Sequence, residues 1–272
     1  MLLKSPDRKS PDRKSPDRKT PDRKTPYKKS PEKSPEKSPE KSPDKSPDKS
    51  PDKSPDKSPD KKTPSREQIN EFIYNKLQNV KKEKNAIIMV GGPGSGKTSG
   101  LNIVLNMLKK NEEDYISINP DDILKKFFNS DKKYYNKVEP INQELYSEVL
   151  SNNYNIIFDR VGTNFESYLN NVILKIKNAG YNIVLCVIYN TYTNVKDRIK
   201  RRELETGRGV DEVYAKNSYR ELTFNIPKYI KLECNNVDEI FCFDNTSKSI
   251  ELIYRSYCNN NNKIVTINNL FN

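Results

Sequence analysis

Apolar positions form regular patterns in this chain only after residue 64. Ile69, Phe72, Ile73, Leu77 and Val80 recur at the three-to-four spacing of one helix face, which predicts an amphipathic helix over 65–80. Ser65 and Gln68 stand at capping-box spacing just after Pro64. Beyond the charged turn at 81–84, Ala86-Ile87-Ile88-Met89-Val90 is apolar without a break, as in a strand covered on both faces of a parallel sheet. Leu101, Val104, Leu105 and Leu108 mark a helix, followed by a strand at 115–118 and a helix at 120–128. Ile141, Leu145 and Val149 predict another helix, then a strand at 155–158 and a helix at 164–178 stopped by Ala179-Gly180. A strand at 183–189 and a basic helix from about Asn194 follow, and strand-like runs at 239–243, 250–254 and 263–267 extend the sheet. Alternating strands and helices predict an α/β fold with a doubly wound, mostly parallel sheet and right-handed crossovers.

The first 64 residues are a different object. Of 18 prolines, 14 fall between Pro6 and Pro64. The sequence cycles through SPDRK and TPDRK, then SPEK and SPDK, with no large apolar residue in the unit. A period of four or five is too short for a stacked repeat, and nothing in it offsets chain entropy by burial. Residues 1–64 are therefore predicted to be a disordered low-complexity tail, and 65–272 a single globular domain. The tail holds 14 Ser-Pro or Thr-Pro dipeptides, each a site for a proline-directed kinase. Full phosphorylation would add about −21 to −28 charges and carry the chain from +12 to about −9 to −16. An inert spacer, or a weak tether to nucleic acid through the basic first 30 residues, fits the same composition.

Charge and composition then exclude several chemistries. Residues 1–65 carry a net +8 and the remainder only +4, so a basic nucleic-acid face on the globular domain is not demanded. The chain has no histidine, which removes Ser-His-Asp and Cys-His catalysis and every His-ligated metal site. A general base must then be a carboxylate, Lys, Tyr or Cys. Cys186, Cys234, Cys242 and Cys258 show no CxxC spacing and are read as free thiols, mostly buried, in a reducing compartment. Met1-Leu2-Leu3 ahead of Lys4 is too short an apolar run for a signal peptide or membrane span, so an intracellular protein, cytoplasmic or nuclear, is expected.

Gly91-Gly92-Pro93-Gly94-Ser95-Gly96-Lys97-Thr98 matches G-x-x-x-x-G-K-[ST] in full, with an apolar strand leading in and an amphipathic helix leading out. Glycines let successive backbone N–H groups turn inward around phosphates, and the helix N-terminus adds its positive end. Lys97 is expected on the β- and γ-phosphates and Thr98 on Mg²⁺, with Ser99 completing the nucleotide-binding run. A guanine-reading GTPase is not indicated. Asp159-Arg160-Val161-Gly162 fits D-x-x-G, but no N-K-x-D follows the next strand, which ends Tyr189-Asn190-Thr191.

A kinase accounts for more of the residues. Asp121 and Asp122 follow the second strand at the carboxyl edge, where doubly wound sheets bind ligands. A carboxylate there can take the proton of an acceptor hydroxyl, although Asn119-Pro120-Asp121-Asp122 equally suits a helix cap. Arg198 and Arg202 share a helix face, and Arg208 lies between glycines; phosphoryl transfer can use such arginines, and a solvated basic face would carry them too. Asp159, ending the third strand, can hold Mg²⁺ through water or orient the acceptor.

The combination of GGPGSGKTS, INPDDI, a strand ending in an acid, and RIKRRELETGRGV resembles the zeta-toxin-like P-loop kinases over roughly 85–245. That family includes toxins that phosphorylate UDP-activated amino sugars. The resemblance implies Asp121 as catalytic base and Arg202 and Arg208 as phosphate clamps, with Lys97 in the loop. Where the family carries an arginine after the third strand this chain has Thr163, with Arg160 three residues earlier, a departure that bears on acceptor recognition. The same features also resemble polynucleotide 5′-hydroxyl kinase domains. The expected function is transfer of the γ-phosphate of Mg-ATP to a hydroxyl of a small molecule such as a nucleotide sugar. The alternatives are a polynucleotide kinase, or a nucleotide-gated platform whose tail makes phospho-dependent protein contacts. No membrane partner is expected.

Overall fold

A computed structural model describes residues 63–207, 209–260 and 262–267; the repeat tail and Arg208 lie outside the described residues. Helix α1 (Arg66–Leu77) opens with the expected capping box, Ser65 and Gln68 each bonding the other's backbone. Strand β1 (Asn85–Val90) runs into the glycine loop and α2 (Lys97–Leu108) leaves it. Then come β2 (Ile116–Ile118), α3 (Pro120–Phe128), α4 (Tyr135–Ser151) and β3 (Ile156–Arg160). Short helices α5 (Phe165–Tyr168) and α6 (Leu174–Asn178) are joined by a π-helical turn, Leu169–Ile173. Strand β4 (Asn182–Tyr189), helices α7 (Tyr192–Thr206) and α8 (Glu212–Ile230), and strands β5 (Glu239–Asp244), β6 (Glu251–Asn259) and β7 (Asn262–Ile267) complete the described chain.

The seven strands form one sheet in the order β2-β3-β1-β4-β5-β6-β7. The first five are parallel, and β6 and β7 return antiparallel. The chain steps outward from β1 to β2, back to β3, and then across β1 to β4. The strand order therefore reverses beside β1, and the crevice at the carboxyl ends of β1 and β3 is where such sheets take ligands. On one face Ile87, Met89, Ile157, Phe241 and Phe243 pack against Leu101, Val104 and Leu105 of α2. The other face is covered by α1, α3, α4, α6 and α8 through residues such as Phe72, Leu124, Leu145, Ile176 and Leu222. Burial on both faces is the physical reason that β1 reads as an unbroken apolar run.

Two features depart from the sequence reading. Helix α8 was not anticipated: its buried positions are Ala215, Ser218, Tyr219, Leu222, Ile226 and Tyr229, at helical spacing but of mixed polarity. Asp211 caps it by accepting from the Tyr214 N–H at 2.8 Å. The cysteines are not all free. Cys234 and Cys258 form a disulfide, because β6 returns antiparallel to β5 and brings Cys258 beside the loop that follows α8. Cys186 and Cys242 are the buried free thiols, and burial pushes the Cys242 thiol up to about 12. Among the described residues no helix is long and apolar enough to cross a membrane.

Candidate active site

The phosphate loop is shaped by its own glycines and pinned from behind by two other elements. Gly94 and Gly96 lie at φ +73° and +100°, the left-handed region that glycine enters without a Cβ penalty. Tyr219 of α8 lies across Gly92, where a Cβ would fall 2.5 Å from its ring, and donates its hydroxyl to the Pro93 carbonyl at 2.7 Å. Burial raises the Tyr219 phenol above its ordinary range, so it stays a neutral donor. Asn245, just after β5, donates to the Ser95 carbonyl at 2.6 Å, and its own carbonyl accepts from Asn190 at 2.6 Å. Among the described residues no side chain caps the N-terminus of α2, which leaves its first-turn N–H groups to an anion.

Strand β3 divides the chemistry between the two faces of the sheet. Met89 pairs with Asp159 and Val90 with Arg160. Successive strand residues point to opposite faces, so Asp159 follows Ile157 toward α2 and Arg160 follows Phe158 toward α4. The Lys97 ammonium sits 3.6 Å from Asp159 Oδ1 and bonds the Gly91 and Gly92 carbonyls at 2.9 and 3.5 Å. The Arg160 guanidinium reaches Glu139 of α4 at 3.3 Å.

A cavity of about 500 Å³ opens over this edge, and Lys97, Asp121, Asp159, Arg160 and Arg202 all line it. Asn119 caps α3 by accepting from the Asp121 N–H at 3.0 Å, which fixes the start of the helix beneath the cavity. Tyr135, the first residue of α4, donates its hydroxyl to Asp121 Oδ1. Burial first, and then the bond to Asp121, raise the Tyr135 phenol well above its ordinary range. Asp122 serves elsewhere, accepting from Lys76 of α1 at 2.7 Å. Lys132 donates to the Gly209 carbonyl and joins the α3–α4 turn to the segment that follows α7.

A second cavity, of about 610 Å³, shares Arg160, Val161 and Tyr214 with the first and is walled by α4 and by the helical stretch after β3. Three buried polar atoms on its wall have no hydrogen-bond partner among the described residues: Asn142 Oδ1, the Tyr146 hydroxyl and Arg160 Nε. Asn142 is 1% exposed and Tyr146 3%. Buried polar groups are nearly always paired, and each orphan costs about 1–3 kcal/mol.

The fold thus brings Pro93, Lys97, Asp121, Asp159 and Arg202 to one cavity. Thr98 and Ser99 are exposed in the first turn of α2 and do not line it. Arg208 lies outside the described residues, although its neighbour Gly209 is on the cavity wall. Tyr135, Asn142, Tyr146, Tyr219 and Asn245 were not singled out from sequence. Only Asn245 left a local signal, as a polar residue directly after the apolar strand 239–243.

The residues present suit a nucleoside triphosphate and a magnesium ion. The glycine cradle around Lys97 cannot take a side chain at 92, and an uncapped helix start completes it. Asp159 Oδ1 is buried and, among the described residues, makes only the longer ion pair with Lys97. Magnesium is commonly held by one or two carboxylates together with substrate phosphates, so no larger acidic cluster is required. Among the described residues no group of three or more such ligands occurs.

Comparison with known proteins fits this geometry. The zeta toxin family model matches residues 72–262. A structure from the PezAT chromosomal toxin–antitoxin system of Streptococcus pneumoniae superposes with a TM-score of 0.52 at 17% identity, covering 72% of this chain and 80% of that one. The AvrRxo1-ORF1:-ORF2 complex gives a TM-score of 0.51 at 13% identity, covering 70% of this chain and 66% of that one. At these identities the likeness is one of fold. No curated protein matches the sequence. The chain belongs to the zeta toxin family, and with it to the P-loop kinases, enzymes that transfer phosphoryl groups.

Proposed function

We propose that this kinase moves the γ-phosphate of Mg-ATP to a hydroxyl of a small polar molecule, with Asp121 as general base. The observation that carries the reading is that the loop lysine Lys97 and the carboxylate Asp121 line one cavity, which shares Arg160, Val161 and Tyr214 with a second cavity beside it. The loop 91–98 and the start of α2 hold the phosphates, with Ser99 next in that turn. Thr98 and Asp159 hold the magnesium, which when bound offsets phosphate charge. Asp121 takes the proton of the acceptor hydroxyl. Lys97, Arg202 and Arg208 stabilise the charge spread over the transferring group. The acceptor body lies in the second cavity, between Asn142, Tyr146 and Lys175. Its donors and acceptors suit a hydroxyl- and amide-bearing ligand such as a nucleotide sugar, with Arg160 and Lys175 available to an anionic group.

The test is label transfer from γ-labelled ATP with Mg²⁺, offering UDP-sugars, nucleosides and 5′-hydroxyl oligonucleotides in parallel. Label on a nucleotide sugar that is lost in Asp121→Asn is the expected result. Label on oligonucleotides alone would replace this reading with a polynucleotide kinase. Nucleotide binding with no transfer to any acceptor would favour a nucleotide-gated platform.

A further inference from the structure

We propose that Tyr135 is a phosphorylation site of this enzyme's own active centre, so that the kinase marks itself when no acceptor fills the site. The inference rests on the kinase reading above. Its basis is where the Tyr135 hydroxyl sits. It donates to Asp121 Oδ1, which is the bond an acceptor hydroxyl must make to lose its proton to that base. Tyr135 lines the same cavity as Lys97, Asp159 and Arg202, the groups that would hold the transferring phosphate. It is therefore an internal hydroxyl presented to the base on the phosphate side of the site.

The chemistry balances with the nucleoside triphosphate as the only co-reactant. The phenolic oxygen forms a bond to the γ-phosphorus, and the bond from that phosphorus to the β–γ bridging oxygen breaks. The electron pair leaves with the diphosphate, and the phenolic proton passes to Asp121 Oδ1. The phenol is protonated at neutral pH, because burial and the neighbouring carboxylate raise it, so it needs the base it touches. Lys97, Lys132, Arg160 and Arg202 surround the cavity and would hold the phosphate ester that results. That ester would sit against Asp121 and deny the base to other acceptors. Tyr135 is also 38% exposed, so a true acceptor can displace it toward solvent.

The experiment incubates the full chain with Mg²⁺ and γ-labelled ATP without acceptor, maps phosphopeptides by mass spectrometry, and follows nucleotide binding by thermal shift. The expected result is phosphotyrosine at residue 135, formed at a rate independent of chain concentration. It should be absent from Tyr135→Phe and Asp121→Asn, both of which still bind nucleotide. Bound nucleotide whose γ-phosphate goes to water or to an added acceptor, with Tyr135 unlabelled, overturns the inference and leaves the kinase reading standing. Label confined to serines or threonines of the tail overturns it as well. Absence of nucleotide binding to the wild-type chain overturns both.

Discussion

The two cavities that meet at Arg160 are built on different principles. The one over the phosphate loop sets a backbone cradle beside charged side chains that pair within the protein: Lys97 with Asp159 and the loop carbonyls, Asp121 with Tyr135. The one beyond Arg160 is made from side chains of α4 and the helical stretch after β3, and two of its own polar atoms, Asn142 Oδ1 and the Tyr146 hydroxyl, have no hydrogen-bond partner among the described residues. A backbone cradle recognises phosphate, which every nucleoside triphosphate shares. A side-chain wall recognises whatever shape and hydrogen-bonding pattern one acceptor has. The division follows from β3, whose last two residues point Asp159 to one side and Arg160 to the other.

The largest effect should come where the two cavities cooperate. Asp121→Asn keeps the shape of the side chain and removes its basicity, so turnover should fall by about 10²–10⁴-fold. Nucleotide affinity, measured by equilibrium binding, should stay close to wild type. If that affinity collapses while the protein remains folded, Asp121 belongs to the nucleotide end and the boundary drawn here is misplaced.

A pair of Tyr→Phe substitutions, one at each end, sharpens the contrast. Tyr146→Phe removes, from the proposed acceptor wall, a hydroxyl with no hydrogen-bond partner among the described residues. The acceptor KM should rise by up to about tenfold, the loss of one hydrogen bond. The nucleotide KM should not move, and thermal stability should hold or increase because an unpaired buried group is gone. A fall in stability with an unchanged acceptor KM would make Tyr146 an ordinary core residue.

The mirror substitution, Tyr219→Phe, removes a hydroxyl that is used. Its bond to Pro93 is buried at 2.7 Å, so stability should fall by about 1 kcal/mol and nucleotide affinity by about fivefold, with the acceptor KM unchanged. Chemical denaturation and nucleotide titration read the two quantities separately.

How much could be read from the sequence follows the same division. The glycine loop was legible because its chemistry lies in eight consecutive residues, and backbone recognition leaves a contiguous pattern. The parallel core was legible because β1, β3 and β4 are buried on both faces and read as apolar runs. Helix α8 was not, although its Tyr219 holds the phosphate loop while Tyr229 and Asn225 hold the Gly162 and Thr163 carbonyls at 2.7 and 2.6 Å. Its inward positions include Ala215, Ser218 and two tyrosines, while Val213 and Phe224 face solvent, so apolar periodicity points the wrong way. The wall of the second cavity was illegible for a related reason. Asn142, Tyr146 and Arg160 come together only through the packing of α4 on β3, and no spacing in the chain encodes it. The Cys234–Cys258 disulfide depends likewise on the antiparallel return of β6, which no motif announces.

The smallest expected effect separates two neighbours that the sequence presents as equals. Asp121 and Asp122 both lie in the first turn of α3, and each suited a base or a helix cap. Adjacent helical residues diverge by about 100°, so one cap geometry sends them to different places. Asp121 goes to the cavity and Tyr135, whereas Asp122 goes to Lys76 at the back of α1, with its side chain 43% exposed. A half-exposed ion pair is worth about 0–1 kcal/mol. Asp122→Asn should therefore cost at most about 1 kcal/mol in denaturation and leave the steady-state constants for both substrates unchanged. A drop in turnover comparable to that of Asp121→Asn would mean that the second carboxylate reaches the acceptor, and the assignment of the base would pass to it.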